Sequence, residues 1–440
     1  MGRTGGPRRR PFRRLAAIGG VVAALLLTSC TNAVDPAARF GGVDTALPDA
    51  VAVSLQAVLA DAVARSGSSG GLAAVSAPWA GEWSAATGAV GFDDGDAKVT
   101  EETEFRLGPA TGEVTCLLLL RLVDLEVVAL DDQVSTYVRD IPGLDGITLE
   151  QLCRQTSGLA DYYPALRGYF AGNPVRVWPP GELIAGSLAA SRVGAPGQTW
   201  SPSTSGVLLL ALALERAAHR DWSDLADEYV LNPLGIDGVD LPDPADPQHP
   251  GTLDAYLQGA LPDGSPDCAV RIDVSAQSSS IGGEAAGATS TLDDAVRLSE
   301  AFATGALLTE PTAEAQWVAS RTSPDAPGWQ AQGIGGRIYG PLRGTAGETL
   351  GALTAAFTDP ESGLTVVVAL NNSTAGAEFA QQVAFALASV AARAPAAAGQ
   401  EQPTLELPWS LEQATQRMAE LGRCPLALPT AEPPAADAPA

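Results

Sequence analysis

Acyl transfer by a side-chain hydroxyl or thiol needs a base beside the nucleophile, and this chain is short of bases. Lys98 is its only lysine; Gly95 stands three residues before it, so Ser-x-x-Lys occurs nowhere. The two histidines are His219, in a polar stretch with Arg216, Arg220 and Asp221, and His249, in a proline-rich loop; both read as surface residues. Gly67-Ser68-Ser69-Gly70-Gly71 fits the Gly-x-Ser-x-Gly nucleophile elbow, but that motif needs a strand before it, a helix after it and a histidine downstream. Here the order reads helix, loop, strand, so the segment is a turn. The hydroxyls of Thr111, Ser157 and Ser203 remain as candidate nucleophiles, with Glu113, Glu284 or Glu348 as an acidic base. Without Cys-x-x-Cys and with two histidines there is almost no material for a zinc or redox site, and no cofactor is expected.

The elements that must position these groups are legible from periodicity. Val51, Leu55, Val58, Leu59 and Ala62 recur at helical spacing from Pro48 to Arg65, and the helix ends at the Gly67–Gly71 loop. Residues 72–107 alternate apolar and turn segments and predict two or three antiparallel strands. After Pro109 the texture becomes helical, and helices and loops alternate to about Phe302. Strands return at Gln332–Tyr339, Thr349–Thr358 and Leu364–Leu370, with a hairpin turn at Asp359–Gly363, and a helix follows from Glu378 to Arg393. Beyond Pro395 the chain is rich in proline and alanine apart from a short helical pattern, Trp409–Leu421, and the last fifteen residues read as disordered.

At 440 residues, with 46% apolar and 18% charged side chains, the chain can bury a sizeable core. Acidic residues number 51 against 26 basic, and six of the arginines lie in the first fourteen positions. So acidic a body repels phosphates, which excludes a nucleic-acid binder.

The basic start is followed by an apolar run, Leu15–Leu27, too short to span a bilayer but of signal-peptide length. Leu27-Thr28-Ser29-Cys30 resembles a bacterial lipobox, which predicts acylation of Cys30 and attachment to the outer face of the membrane; Arg9-Arg10-Pro11-Phe12 resembles a twin-arginine signal. Export permits disulfides among Cys116, Cys153, Cys268 and Cys424. Four cysteines allow three pairings; Cys116 with Cys153 and Cys268 with Cys424 is favoured, without a sequence argument that selects it.

Several segments, each weak alone, occur in a telling order: Phe105-Arg106-Leu107-Gly108 before a helix, Leu130-Asp131-Asp132, Gln155-Thr156-Ser157-Gly158-Leu159 with Asp161-Tyr162, Ala195-Pro196-Gly197, Asn232-Pro233-Leu234-Gly235, and Gly363–Asn371. In this the chain resembles the serine β-lactamase and DD-peptidase superfamily, in its class C-like, penicillin-binding-protein-related branch. The resemblance implies a mixed α/β (α+β) fold: an antiparallel sheet flanked by terminal helices, with an inserted, mainly helical domain. The expected divisions are 1–29 signal peptide, 30–47 tether, 48–108 and 328–395 the two parts of the sheet domain, 109–327 the helical domain and 396–440 the tail.

Such proteins place Ser-x-x-Lys at a helix start, carry a Tyr-x-Asn motif that helps proton transfer and substrate binding, and place Lys- or His-x-Gly on a strand beside the nucleophile. Carried onto this chain, the first motif falls on Pro109 and Gly112, the second on Pro202 and Thr204, and the third on Thr345 and Gly347. Proline at a nucleophile position also removes the backbone N–H that the resemblance assigns to the oxyanion hole, whereas proline suits an ordinary first helical turn. The expectation is a catalytically inactive, lipid-anchored envelope protein with a binding or scaffolding role toward peptidoglycan fragments or an envelope protein; the alternative is a hydrolase with a relocated nucleophile. Arg343, Glu348 and Glu284 are expected to line the groove, with Ile281–Ala288 at its edge.

Overall fold

The computed structural model describes residues 1–2 and 33–426; the signal segment, Cys30 and residues 427–440 lie outside the described residues. The body beginning at Ala33 is built on a seven-stranded antiparallel sheet. Its strands are β1 (Gly70–Ala77), β2 (Gly81–Gly88), and, after two short pairs, five more near the C-terminus. Those pairs are β3 (Phe105–Arg106) with β6 (Thr289–Ser290), and β4 (Tyr256–Ala260) with β5 (Pro266–Asp273). The C-terminal strands are β7 (Gln330–Gln332), β8 (Arg337–Tyr339), β9 (Leu342–Thr349), β10 (Ala352–Thr358) and β11 (Thr365–Leu370). The order across the sheet is β2-β1-β11-β10-β9-β8-β7, so sequence-distant β1 and β11 pair as its second and third strands, Gly71 opposite Leu370 and Val75 opposite Val366.

Alternation of side chains along a strand divides the core in two. Val366, Val368 and Leu370 pack, with Ala73, Val75, Leu353 and Phe357, under the terminal helices α1 (Asp49–Ser66), α6 (Ala377–Ala391) and α7 (Leu411–Leu421). Val367 and Ala369 face the other way. There the sheet meets α2 (Thr111–Asp124), α3 (Leu149–Cys153), α4 (Thr204–Ala218) and α5 (Leu292–Thr304). Both faces being covered, β11 reads as an unbroken apolar run. Helix α2 runs through the middle of this second core, with Thr111–Leu120 entirely buried, and is apolar there except for Thr111, Glu113 and Thr115. The turn at Asp359 forms as expected: its carboxylate accepts from the N–H groups of Glu361 and Ser362 at 3.1 and 3.2 Å.

Three expectations change. The segment Gln332–Tyr339 is two short strands joined through Gly333–Gly336, and strand β9, which bears Thr345 and Gly347, was absent from the strand pattern. The inserted region carries the β4–β5 hairpin besides helices. The segment after residue 395 is partly structural: Trp409 stacks on Phe385 at 3.7 Å between ring centres, and Met418 is fully buried. The disulfides are Cys116–Cys153, with Cα atoms 5.9 Å apart, and Cys268–Cys424, at 5.1 Å, the pairing favoured above. No helix among the described residues is long and apolar enough to cross a membrane.

Candidate functional site

Pro109, Gly112, Pro202, Thr204, Thr345 and Gly347 all line one cavity of about 400 Å³ between the sheet and the inserted helices. Pro109 sits in the 3-10 turn Gly108–Ala110 that feeds α2. Its ring lies against β9, where Gly347 leaves room for it: a side-chain Cβ on Gly347 would stand 3.1 and 3.2 Å from the Pro109 Cβ and Cδ, and nearer still to its Cγ. The N-terminus of α2 is thus sealed onto the strand by a ring without a nucleophile or a backbone donor. One turn along, Gly112 faces Val207 and the Ala285 carbonyl and presents no amine.

Thr204 begins α4, behind an N-cap in which the Ser203 hydroxyl accepts from Gly206 N–H at 3.3 Å. The Thr204 hydroxyl donates to Asp161 Oδ2 at 3.4 Å, and Tyr163 N–H donates to Asp161 Oδ1 at 3.2 Å. Burial pushes the Asp161 carboxyl up, against these hydrogen bonds. On β9, Thr345 donates its hydroxyl to Glu113 Oε1. Glu113 is fully buried on α2 behind Thr345, and its Oε2 has no partner among the described residues. Desolvation pushes this carboxyl up to about 8, with the Thr345 hydrogen bond pulling the other way. Glu348 also lines the cavity; burial raises its pKa, moderated by Arg167, whose Nε is 4.0 Å away.

The other hydroxyls are engaged locally. Thr111 accepts from Ala288 N–H at 3.2 Å and Ser157 from Leu159 N–H at 3.3 Å; neither reaches the cavity. Ser203 lines it but serves as the cap. Two groove expectations are corrected. Arg343 stands further along β9, its guanidinium 5.1 Å from the Trp317 ring centre, and Glu284 turns away, only its neighbours Ala285 and Ala286 reaching the cavity. Ser68 and Ser69 are tied into a loop between α1 and β1, Ser69 donating to the Ala89 carbonyl at 3.1 Å. His219 is exposed at the end of α4, whereas His249 is half-buried, Nε2 lying 2.9 Å from the Gln277 carbonyl.

Sequence reading missed the opposite wall. Trp200, Gln332, Tyr339 and Gln381 line the cavity with Arg337. The Arg337 guanidinium lies 4.4 Å from the Trp200 ring centre and 5.0 Å from that of Tyr339. Its alternation with Tyr339 along β8 was the available signal, but β8 had been merged with its neighbour. The described residues contain no cluster of metal-ligating side chains.

Comparison with known proteins agrees with this architecture. The D-alanyl-D-alanine-carboxypeptidase/endopeptidase AmpH of Escherichia coli is 33% identical over 137 residues, 30% of this chain and 35% of that protein. Penicillin-binding protein 4* of Bacillus subtilis is 24% identical over 140 residues, 30% of this chain and 29% of that protein. The chain therefore aligns with about a third of the length of these relatives. Among solved structures, a D-stereospecific amidohydrolase from Streptomyces superimposes with a TM-score of 0.65 at 21% identity, covering 76% of this chain and 97% of that one. The D-amino acid amidase of Ochrobactrum anthropi gives 0.62 at 20% identity, covering 73% and 92%. The family profile described as beta-lactamase matches residues 55–391, and with a match over most of its length the chain belongs to the beta-lactamase family.

Proposed function

We propose that this chain is a lipid-anchored, extracytoplasmic family member that binds a small ligand in its cleft and forms no covalent bond with it. The carrying observation is the Pro109 ring packed on Gly347, with an open cavity beyond it. A nucleophile, its amine partner and one oxyanion donor are replaced together, and loss of one such donor alone costs about a hundred- to a thousandfold in rate. An open cavity favours a ligand over a purely scaffolding role. Peptidoglycan fragments are the first candidates, because the relatives' names place them in D-alanyl peptide and penicillin chemistry. The test is incubation with a fluorescent penicillin and a chromogenic cephalosporin, followed by denaturing electrophoresis and mass spectrometry. No retained label and no turnover are expected; a stable adduct or sustained hydrolysis would overturn the proposal.

A second reading rests on the hydrogen bond from Thr345 to Glu113. A carboxyl with a pKa near 8 can exchange protons near neutral pH: in its ionised form Glu113 would take the Thr345 Oγ proton as that oxygen attacks a carbonyl carbon, then give it to the leaving group as the carbonyl–leaving-group bond breaks and an acyl-threonine remains. This reading predicts that a serine-reactive phosphonate labels the peptide containing Thr345 and that Thr345→Val abolishes the label. An unlabelled peptide removes it.

A further inference from the structure

A second cavity, of about 620 Å³, opens at the other edge of the sheet from the cleft, where β1 and β2 meet α5 and the N-terminal segment. The pairing of the two strands sets Ser76 opposite Glu82 and Ala74 opposite Ser84. Ala74 packs in the core with Leu292 and Ala295 of α5, so alternation turns Ser76, Glu82 and Ser84 to the same side. There the apolar face of the sheet gives way to polar groups. Helix α5 contributes Asp293, Arg297 and Glu300, which share one side of it at helical spacing. Asp35 and Asp44 come from either side of the 3-10 turn Pro36–Phe40. Five carboxylates and one guanidinium thus line the cavity.

None of the five carboxylates takes part in an ion pair among the described residues. The Arg297 guanidinium is turned to the Leu234 carbonyl at 3.2 Å, and that of Arg39, on the neighbouring turn, to the Thr304 carbonyl at 3.5 Å. Asp35, Asp44, Glu82 and Asp293 are exposed and keep their water, but Glu300 is only 4% exposed. Its one side-chain hydrogen bond among the described residues is long, from the Thr365 hydroxyl to Oε1 at 3.5 Å. Thr365 has a single proton to give, and the Gly363 carbonyl at 3.2 Å and the Thr358 hydroxyl at 2.9 Å are both nearer. The adjacent buried carboxyl of the same helix is treated differently: Asp294 Oδ2 accepts from Gly238 N–H at 2.8 Å and from the Thr291 hydroxyl at 3.0 Å. Burial, with the charges of Asp35 and Glu82, pushes Glu300 up to about 7, and burial, with those of Asp44 and Asp293, raises Glu82. The five groups repel one another, so a cation among them would relieve both the repulsion and the desolvation of Glu300.

We propose that this cavity binds a small linear polyamine, with one ammonium group on Glu300 and the others on the outer carboxylates. Among the described residues no three carboxylates converge closely enough to hold a metal ion. Charges spaced along a flexible chain match acids spread over the wall of a cavity, and the volume is that of a small organic ligand. An ammonium group brings three donors and no acceptor, which suits a buried carboxylate short of donors. The site is separate from the cleft and does not depend on whether the cleft makes covalent bonds.

The test is calorimetric titration of the full chain with spermidine, with magnesium and a trilysine peptide as competing cations, all at one ionic strength of about 0.1 M so that screening is constant. Spermidine is expected to bind saturably, about tenfold more tightly than magnesium, and Glu300→Gln to weaken it about tenfold. Glu82→Gln, at an exposed position, should weaken it less, and Asp263→Asn, on the β4–β5 turn outside the cavity, should leave it unchanged, with near-ultraviolet circular dichroism unaltered in all three. Equal binding of spermidine and magnesium, an equal loss in Asp263→Asn, or undiminished binding in Glu300→Gln would overturn the proposal, since each would mark a diffuse response of an acidic surface. Absence of spermidine binding at millimolar concentration would overturn it as well. Tighter binding of trilysine than of spermidine would overturn it in favour of a basic protein segment as the occupant.

Discussion

Two regions of one cleft have been treated in opposite ways. Around Pro109, Thr345 and Gly347 neither a serine nor a lysine stands at the motif positions, and the space is taken up: a proline ring on a glycine, a threonine hydroxyl on a buried carboxyl. Around Arg337 the charge is left unanswered and the space open. Pairing, replacing or exposing that arginine would relieve the cost, because unpaired desolvated charge lowers stability. The contrast distinguishes a sealed motif position from an open wall of the same cavity.

The comparison can be broken or sharpened by substitution. The largest effect is expected from Cys116→Ala with Cys153→Ala. That disulfide closes a separation of 37 residues and pins α2, which carries the sealed region, to α3; its removal should cost about 2–5 kcal/mol in denaturant unfolding. A normal midpoint would show that α2 is held by packing alone. Next, Gly347→Ala should destabilise by about 1–3 kcal/mol through overpacking against Pro109, and adding Pro109→Ala should recover most of it. An additive double variant would mean that the two residues are not in the contact described.

Glu113→Gln should act through pH. The carboxyl is raised from 4.5 to about 8 in the folded chain, so across that window the folded state keeps a proton that the unfolded chain has released. Stability then falls as pH rises through the window and levels off above it. The variant should flatten this fall in thermal unfolding, measured as a difference because Glu300, raised to about 7 by burial, adds a slope of the same sign. Parallel curves would contradict it. The smallest effect belongs to Arg337→Gln without ligand: a stability change below about 1 kcal/mol, because relief of unpaired charge offsets the lost ring contacts. A large loss would mean that the arginine is structural.

Most of the framework was legible because its signals are strong and local. The Leu364–Leu370 run is apolar throughout since both faces of β11 are covered, and α1 ends where Gly67 takes a left-handed turn, φ 69°. The motif positions were found by order along the chain, and they converge in space. Strand β9 was missed because Leu342-Arg343-Gly344-Thr345-Ala346-Gly347-Glu348-Thr349 has neither alternation nor β-branched density; it is a strand because β10 pairs with it and because Pro109 needs a glycine opposite. Arg343 and Glu284 were assigned to the groove from proximity in sequence, which cannot see that Arg343 passes beyond the cavity toward Trp317. Arg337 was marked in sequence only by its two-residue spacing from Tyr339 along β8; its lack of a hydrogen-bond partner is set by tertiary structure.

The link between Cys268 and Cys424 joins the β4–β5 hairpin to the chain just past α7, across 156 residues. Those intervening residues include β9, β10, β11 and most of the closing wall of the cleft. A protease that nicks any loop within this span therefore leaves one covalent molecule, whose fragments separate on a gel only after thiol treatment.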